Sequence, residues 1–379
     1  MTGRIARIGL VAAVALTACS SGDDDGGGGP LGGGGGDGFA AQIAALPLPP
    51  DVDDDEVLMV SFGDLARAAE LAGVDLPAAR DGDRDAQIDA INALLGVQYD
   101  PEGSDGSGSS VAVLPPEAAQ VDRLQMIEEF TDEVGWNLFD VRQFVEVPSP
   151  PNDVTVLQGD FDEDALTEAM GEPEDGVWVL GTPGEINVDE VSAARPIGEG
   201  LLLSLDGDRL IVAKTEEGMA VARGGDGATV GDDGVLTGLA EALEDADAYS
   251  GMLLRGNLGG PAGGTGVSPA QAEALCEEAL SVPFVGVGAG IAYDDGPVFL
   301  LAYLTAAGDA AETLAGEVEE LVTEGVSAVS AEPWSDRLVL DEVTADGNVV
   351  VARLRPAEEG PAAIWHRFVL NRDNLVSYC

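Results

Sequence analysis

Residues 201–214 read "LLLSLDGDRLIVAK": an apolar run, Asp206-Gly207, and a second apolar run. Asp-Gly supplies the backbone a two-residue turn requires, so the stretch predicts a β-hairpin. A hairpin is stable only when it buries one face and extends its ladder, which commits the chain to an antiparallel sheet. A second copy of the pattern, "DGNVVVAR" at 346–353, lines up with "DGDRLIVAK" at 206–214 once one residue is skipped. Asp206 and Asp346 stand 140 residues apart. The elements ahead of both hairpins keep one order: strand, strand, helix. The first set is 141–147, 154–159 and 162–170; the second is 282–293, 297–305 and a helix near 309–324. The expected fold is α+β: two tandem, duplicated units of antiparallel sheet with packed helices. Asp-Gly hairpins flanked by valines also recur in unrelated sheets, so chance repetition stays open.

Other elements follow from local chemistry. "EVLMVSF" (56–62) has strand content. Asp64 caps "LARAAELA", which Gly73 ends. Val121, Leu124, Ile127, Phe130 and Val134 keep helical spacing, so 117–134 predicts one helix. Asp162 caps the 162–170 helix, and 235–249 predicts another. Gly-rich loops occupy 100–110 and 256–266; the second marks a boundary between a unit at 41–257 and one at 268–379.

The N-terminus places the chain in the cell. Arg4 and Arg7 precede an apolar run, Ile8 to Ala18. That run is too short to span a bilayer and has the length of a secretory signal core. It ends in "LTAC", Leu16 to Cys19, and here the sequence resembles bacterial lipoproteins. The resemblance implies a signal peptide at 1–18, cleavage before Cys19, and acylation of the Cys19 thiol. It thus implies an extracytoplasmic protein held on the membrane by its lipid. Two acyl chains anchor stably where one does not. Glycine and aspartate fill most of the following stretch, so 19–40 is the lipidated cysteine and a flexible tether, reaching about 23 Å. With Cys19 acylated, Cys276 and Cys379 remain in an oxidising compartment, and we expect them to be bonded. Through its hairpin-then-helix pattern, most of 50–257 also resembles uncharacterised membrane-anchored extracytoplasmic proteins of high-GC bacteria. No activity comes with that resemblance.

Charge removes some partners. Seventy acids face 17 bases, a net charge of −53, and Lys214 is the single lysine. A surface like this repels nucleic acid and anionic lipid headgroups. Catalytic vocabulary is sparse. His366 is the one histidine, and neither a "GxSxG" elbow nor a Gly-Lys-Ser/Thr phosphate loop occurs. No catalytic residue is nominated. Alternating Gly286, Gly288 and Gly290 leave one strand face bare, for a ligand or a closely packed helix.

Aspartates recur as D-x-D-x-D at 51/53/55, 81/83/85 and 160/162/164. A calcium loop of the EF-hand type needs Gly at its sixth place and a carboxylate at its twelfth. From Asp81 those places hold Ala86 and Asn92; from Asp160, Ala165 and Gly171; from Asp51, Glu56 and Phe62. All three depart from the pattern. Asp85 would instead cap a helix whose apolar face is Ile88, Ile91, Leu94 and Leu95, with Asp83 adding favourable charge. The expectation is a protein without cofactor, with weak calcium binding at Asp81, Asp83, Asp85 and Asp89 as the alternative. The functional expectation is a non-catalytic binding or structural role in the cell envelope, toward an envelope protein or glycan. A carboxylate-based glycan hydrolase is the alternative from another class.

Overall fold

Eleven strands form one antiparallel sheet in the computed structural model. It describes residues 38–49, 57–96, 111–119, 125–256, 258–259, 276, 279–357, 365, 369–371 and 373–379. Cys19, residues 19–37 of the expected tether, Asp51 to Asp55, the 100–110 loop, most of the 256–266 loop and His366 lie outside the described residues; the tether's expected end at 40 is corrected, because a helix begins at Phe39. Residues 37–379 form one compact unit. Among the described residues, no helix is long and apolar enough to cross a membrane.

The strands are β1 (Leu58–Asp64), β2 (Val141–Val147), β3 (Val154–Gly159), β4 (Trp178–Leu180), β5 (Leu201–Asp206), β6 (Arg209–Ala213), β7 (Ser250–Arg255), β8 (Phe284–Tyr293), β9 (Pro297–Thr305), β10 (Leu338–Asp346) and β11 (Val349–Pro356). Their spatial order is β10-β11-β9-β8-β7-β1-β2-β3-β6-β5-β4. Both expected hairpins form, as β5–β6 and β10–β11, with Gly207 and Gly347 at positive φ.

The β1–β7 pair sits at the centre, and the order outward from it is the same on both sides. One side runs β7, β8, β9, β11, β10; the other runs β1, β2, β3, β6, β5, with β4 added at the edge. In each half a helix separates the third strand from the later hairpin: α6 (Glu163–Met170) and α9 (Gly308–Glu324). Both bury apolar residues on the same face of the sheet. In each half another helix precedes the first strand: α1 (Phe39–Ala44) and α8 (Gly234–Asp245). Both bury residues on the opposite face. The sheet runs unbroken across the expected boundary, because β7 pairs with β8 from Ser250↔Ile291 to Arg255↔Gly286.

Local chemistry sets most ends. Asp64 accepts from Arg67 N at 2.7 Å to cap α2 (Leu65–Ala72), and Gly73 ends it in the left-handed region. Asp162 caps α6, and Asp233 caps α8. Short α3 (Leu76–Arg80) and α7 (Glu216–Ala222) lie in the connections between these strands. The expected 117–134 helix is a single turn at Glu117–Ala119, with 120–124 outside the described residues, and then α5 (Ile127–Val134). The expected 235–249 helix ends at Asp245, because Asp247 takes positive φ and the chain turns into β7.

The bare face of β8 is filled by a helix. A Cβ on Gly286 would meet Val235 at 2.5 Å and Leu239 at 2.9 Å, both on α8. One on Gly288 would meet Leu243 of α8 at 3.1 Å. At the far end of the chain, Cys276 and Cys379 are disulfide-bonded. The C-terminal segment is further held by Asp373, which accepts from Ser327 Oγ at 2.6 Å and Ala328 N at 2.9 Å. Asn374 accepts from the Trp334 indole at 3.1 Å.

Candidate functional site

Side chains alternate across a strand, so residues flanking the apolar set of one face point to the other. Val60 and Phe62, Val145 and Val147, Val154 and Val156, and Ile211 and Ala213 all pack on the α1/α8 face. Ser61, Glu146 and Thr155 therefore share the opposite face. Register brings them side by side: Ser61 faces Glu146, and Glu146 faces Thr155. One step beyond the ladder, Lys214 N donates to Asp153 O at 3.2 Å, which sets those two residues at the end of β6 and the start of β3.

Lys214 is the hub. Its ammonium lies 3.1 Å from Glu117 Oε1 and 3.1 Å from Glu199 Oε1, and contacts Asp153 Oδ2. Its side chain is 15% exposed, and that of Asp153 is 9% exposed. Burial alone would lower this ammonium, but Asp153, Glu117 and Glu199 outweigh burial and raise it above the ordinary lysine value. Burial raises the Asp153 carboxyl, against the pull of Lys214. The cation therefore stays charged throughout the physiological range, and it cannot serve as a neutral amine nucleophile.

Glu146 lies behind this group. Burial pushes its carboxyl up to about 7, although three hydrogen bonds oppose the shift. Ser61 Oγ donates to Oε1 at 2.9 Å; Glu117 N at 2.9 Å and Thr155 Oγ1 at 3.3 Å donate to Oε2. A cavity of about 20 Å³ separates Glu146, Glu117, Asp153 and Lys214, room for about one water.

The wider cavity opens from Lys214. It encloses about 550 Å³, within the usual range for small-molecule sites. Pro115, Pro116, Pro150, Pro151, Pro196, Ile186 and Ile197 supply its apolar lining, and Glu117, Glu185, Glu199 and Lys214 its charge. Ile186 is 62% exposed and Ile197 49% exposed. Three segments carry this wall: 115–117, the 148–152 turn between β2 and β3, and the long connection between β4 and β5. That connection is tied down by Gly184 N donating to Lys214 O at 2.8 Å and by Asn187 N donating to Gly198 O at 2.9 Å. Gly198 has φ +75°, and a Cβ there would fall 1.8 Å from Asn187 O, so only glycine fits.

The aspartates at 81–89 serve a helix. Asp83, not Asp85, caps α4 (Arg84–Leu94), accepting from Ala86 N at 3.0 Å. Asp85 sits in the first turn, where its charge favours the helix dipole. The cap moves by two residues because the helix begins earlier than its apolar face. Asp81 ends α3, and Asp89 lies within α4. Among the described residues, no group of three or more His, Cys, Asp or Glu side chains is arranged to hold a metal ion.

Sequence reasoning nominated none of Glu117, Glu146, Asp153 or Glu199. Each is one acid among 70, and only the folded path of the chain groups them: strand pairing sets Glu146 beside Asp153, while Glu117 and Glu199 arrive on the 115–117 segment and the β4–β5 connection. The available signal was Lys214, a lone lysine in so acidic a chain. Compared with known proteins, the chain matches no family model, no curated protein and no solved structure.

Proposed function

We propose that this chain is a membrane-anchored extracytoplasmic lipoprotein with a non-catalytic binding role in the cell envelope. Cys19 carries the lipid, the Gly/Asp stretch spaces the body from the membrane, and the proline-rimmed cavity over Lys214 is the binding site. One observation carries the binding half of this reading: a cavity of about 550 Å³ whose floor is a lysine ion-paired to carboxylates and whose mouth is apolar. A lysine already neutralised by carboxylates is built to hold shape and charge. A reactive amine would have to lose its proton, and this cluster opposes that loss.

The identical outward strand order about β1 and β7 supports a second element of the reading. The two halves descend from one duplicated unit, and the cavity lies in the first. Arg353, aligned with Lys214, instead donates to Ala246 O at 3.2 Å beyond the end of α8.

The hydrolase alternative has one observation in its favour. A carboxyl raised to about 7 beside charged carboxylates suits a general acid. Against it, both Glu146 oxygens are held by protein donors, and Glu146 does not line the larger cavity.

Native mass spectrometry of the protein drawn from its own envelope tests the binding role. We expect a non-covalent small molecule on the native chain, absent from Ile197→Trp, whose indole narrows the mouth. Ligand-free masses for both, each at its own chain mass, would contradict the reading. Envelope-glycan cleavage lost on Glu146→Gln would favour the hydrolase instead.

A further inference from the structure

We propose that the cavity over Lys214 takes an amphipathic organic cation: an apolar body ending in an ammonium or guanidinium group. The assignment rests on the binding reading above and adds the ligand's chemical class.

Hydrogen-bond capacity decides the sign of the charge. A lysine ammonium has three donors and no acceptor. Here three carboxylates surround it: Glu117 and Glu199 at 3.1 Å each, and Asp153 in contact. A carboxylate or phosphate on a ligand would have to compete with these three carboxylates for the one ammonium. Glu117, Glu199 and Glu185 bring three carboxylates to the lining against the single Lys214 ammonium. An arriving cation finds a net excess of negative charge, and an arriving anion is repelled by it. The field of the whole chain, at −53, points the same way and speeds the approach of cations.

Apolar exposure decides the body. Among the described residues, five of the ten exposed large apolar side chains fall between 179 and 197: Val179, Ile186, Val188, Val191 and Ile197. Two of these, Ile186 and Ile197, line the cavity itself. Scattered single apolar residues on a surface need no explanation, but a concentration around a cavity mouth marks a place that gains from being covered. Covering them removes apolar surface from water, which a small hydrophilic cation would not do. A ligand with both features uses the whole cavity.

The test uses the full chain carrying Cys19→Ser, so that no acyl chain competes for the cavity. Octylammonium, 1-octanol and octanoate present one alkyl body with three head groups. Isothermal titration calorimetry at low salt compares them. Octylammonium is expected to bind at one site, at least about tenfold tighter than octanoate, equivalent to about 1.4 kcal/mol, with 1-octanol between them. Added salt and Glu199→Gln should each narrow that gap, and Ile197→Trp should weaken all three. Octanoate binding as tightly as octylammonium would overturn the cation assignment and leave the cavity as a binding site. No binding by any of the three would overturn both.

Discussion

Glu146 is the residue whose chemistry departs furthest from its type. An ordinary glutamate releases its proton near 4.5, and burial holds this one to about 7. Between those values the folded chain keeps a proton that the unfolded chain has lost. Stability is therefore greatest below the lower value and falls as pH rises to the upper one. The loss attributable to this group is about 3 kcal/mol, from about 1.4 kcal/mol per pKa unit. Glu146→Gln keeps the shape and removes the titration. Urea unfolding at pH 5 and pH 8 should show the wild type losing most of that amount and the variant losing visibly less. Equal losses in both would mean that Glu146 ionises freely in the fold. Asp140 follows the same rule more weakly. Burial raises it to about 6, while the Asn137 backbone and Arg80, 2.5 Å away, oppose the shift.

Elements are held by how closely they approach, and β8 with α8 is the tightest case. Alternating glycines remove three side chains, and Val235, Leu239 and Leu243 of α8 occupy the space. Gly286→Val should force these apart and destabilise by about 1–3 kcal/mol, the usual cost of overpacking. Gly316, inside α9, has nothing within 4 Å of an added Cβ. Gly316→Ala should therefore stabilise by about 0.5–1 kcal/mol through backbone entropy. Denaturation midpoints moving in opposite directions would support this packing, and a neutral Gly286→Val would contradict it. The sequence carried most of this level. Strands β2 and β3 begin and end where their apolar runs do, and Asp64, Gly73 and Asp162 mark real helix ends. Strand β7 was not legible. All six of its residues are buried, so "SGMLLR" shows no alternation between faces, and the sequence assigns it no element. That one strand is what joins the two halves into a single sheet.

The whole molecule is a scaffold with one specialised side. Eleven strands give a continuous platform, and the Cys276–Cys379 bond fastens its last residue across a sequence separation of 103. Loop closure on that scale stabilises by roughly 4.7 kcal/mol in the chain-entropy account. The aligned positions of the two halves hold Lys214 and Arg353, but only Lys214 meets a cluster of acids. Its partners come from segments far apart in the chain, so neither spacing nor motif announces them. Composition carries a single hint, one lysine among 70 acids. The same rarity supplies a direct measurement of the central claim, that Lys214 is a caged cation at the floor of a binding cavity. An amine-acetylating reagent, with peptide mapping by mass spectrometry, reads one lysine in the chain. In the folded protein at pH 8, Lys214 should react at least about tenfold more slowly than in the urea-unfolded chain, because the cage raises its pKa and buries its nitrogen. Glu199→Gln should recover part of that rate. Acetylation of folded Lys214 at the unfolded rate would contradict the account.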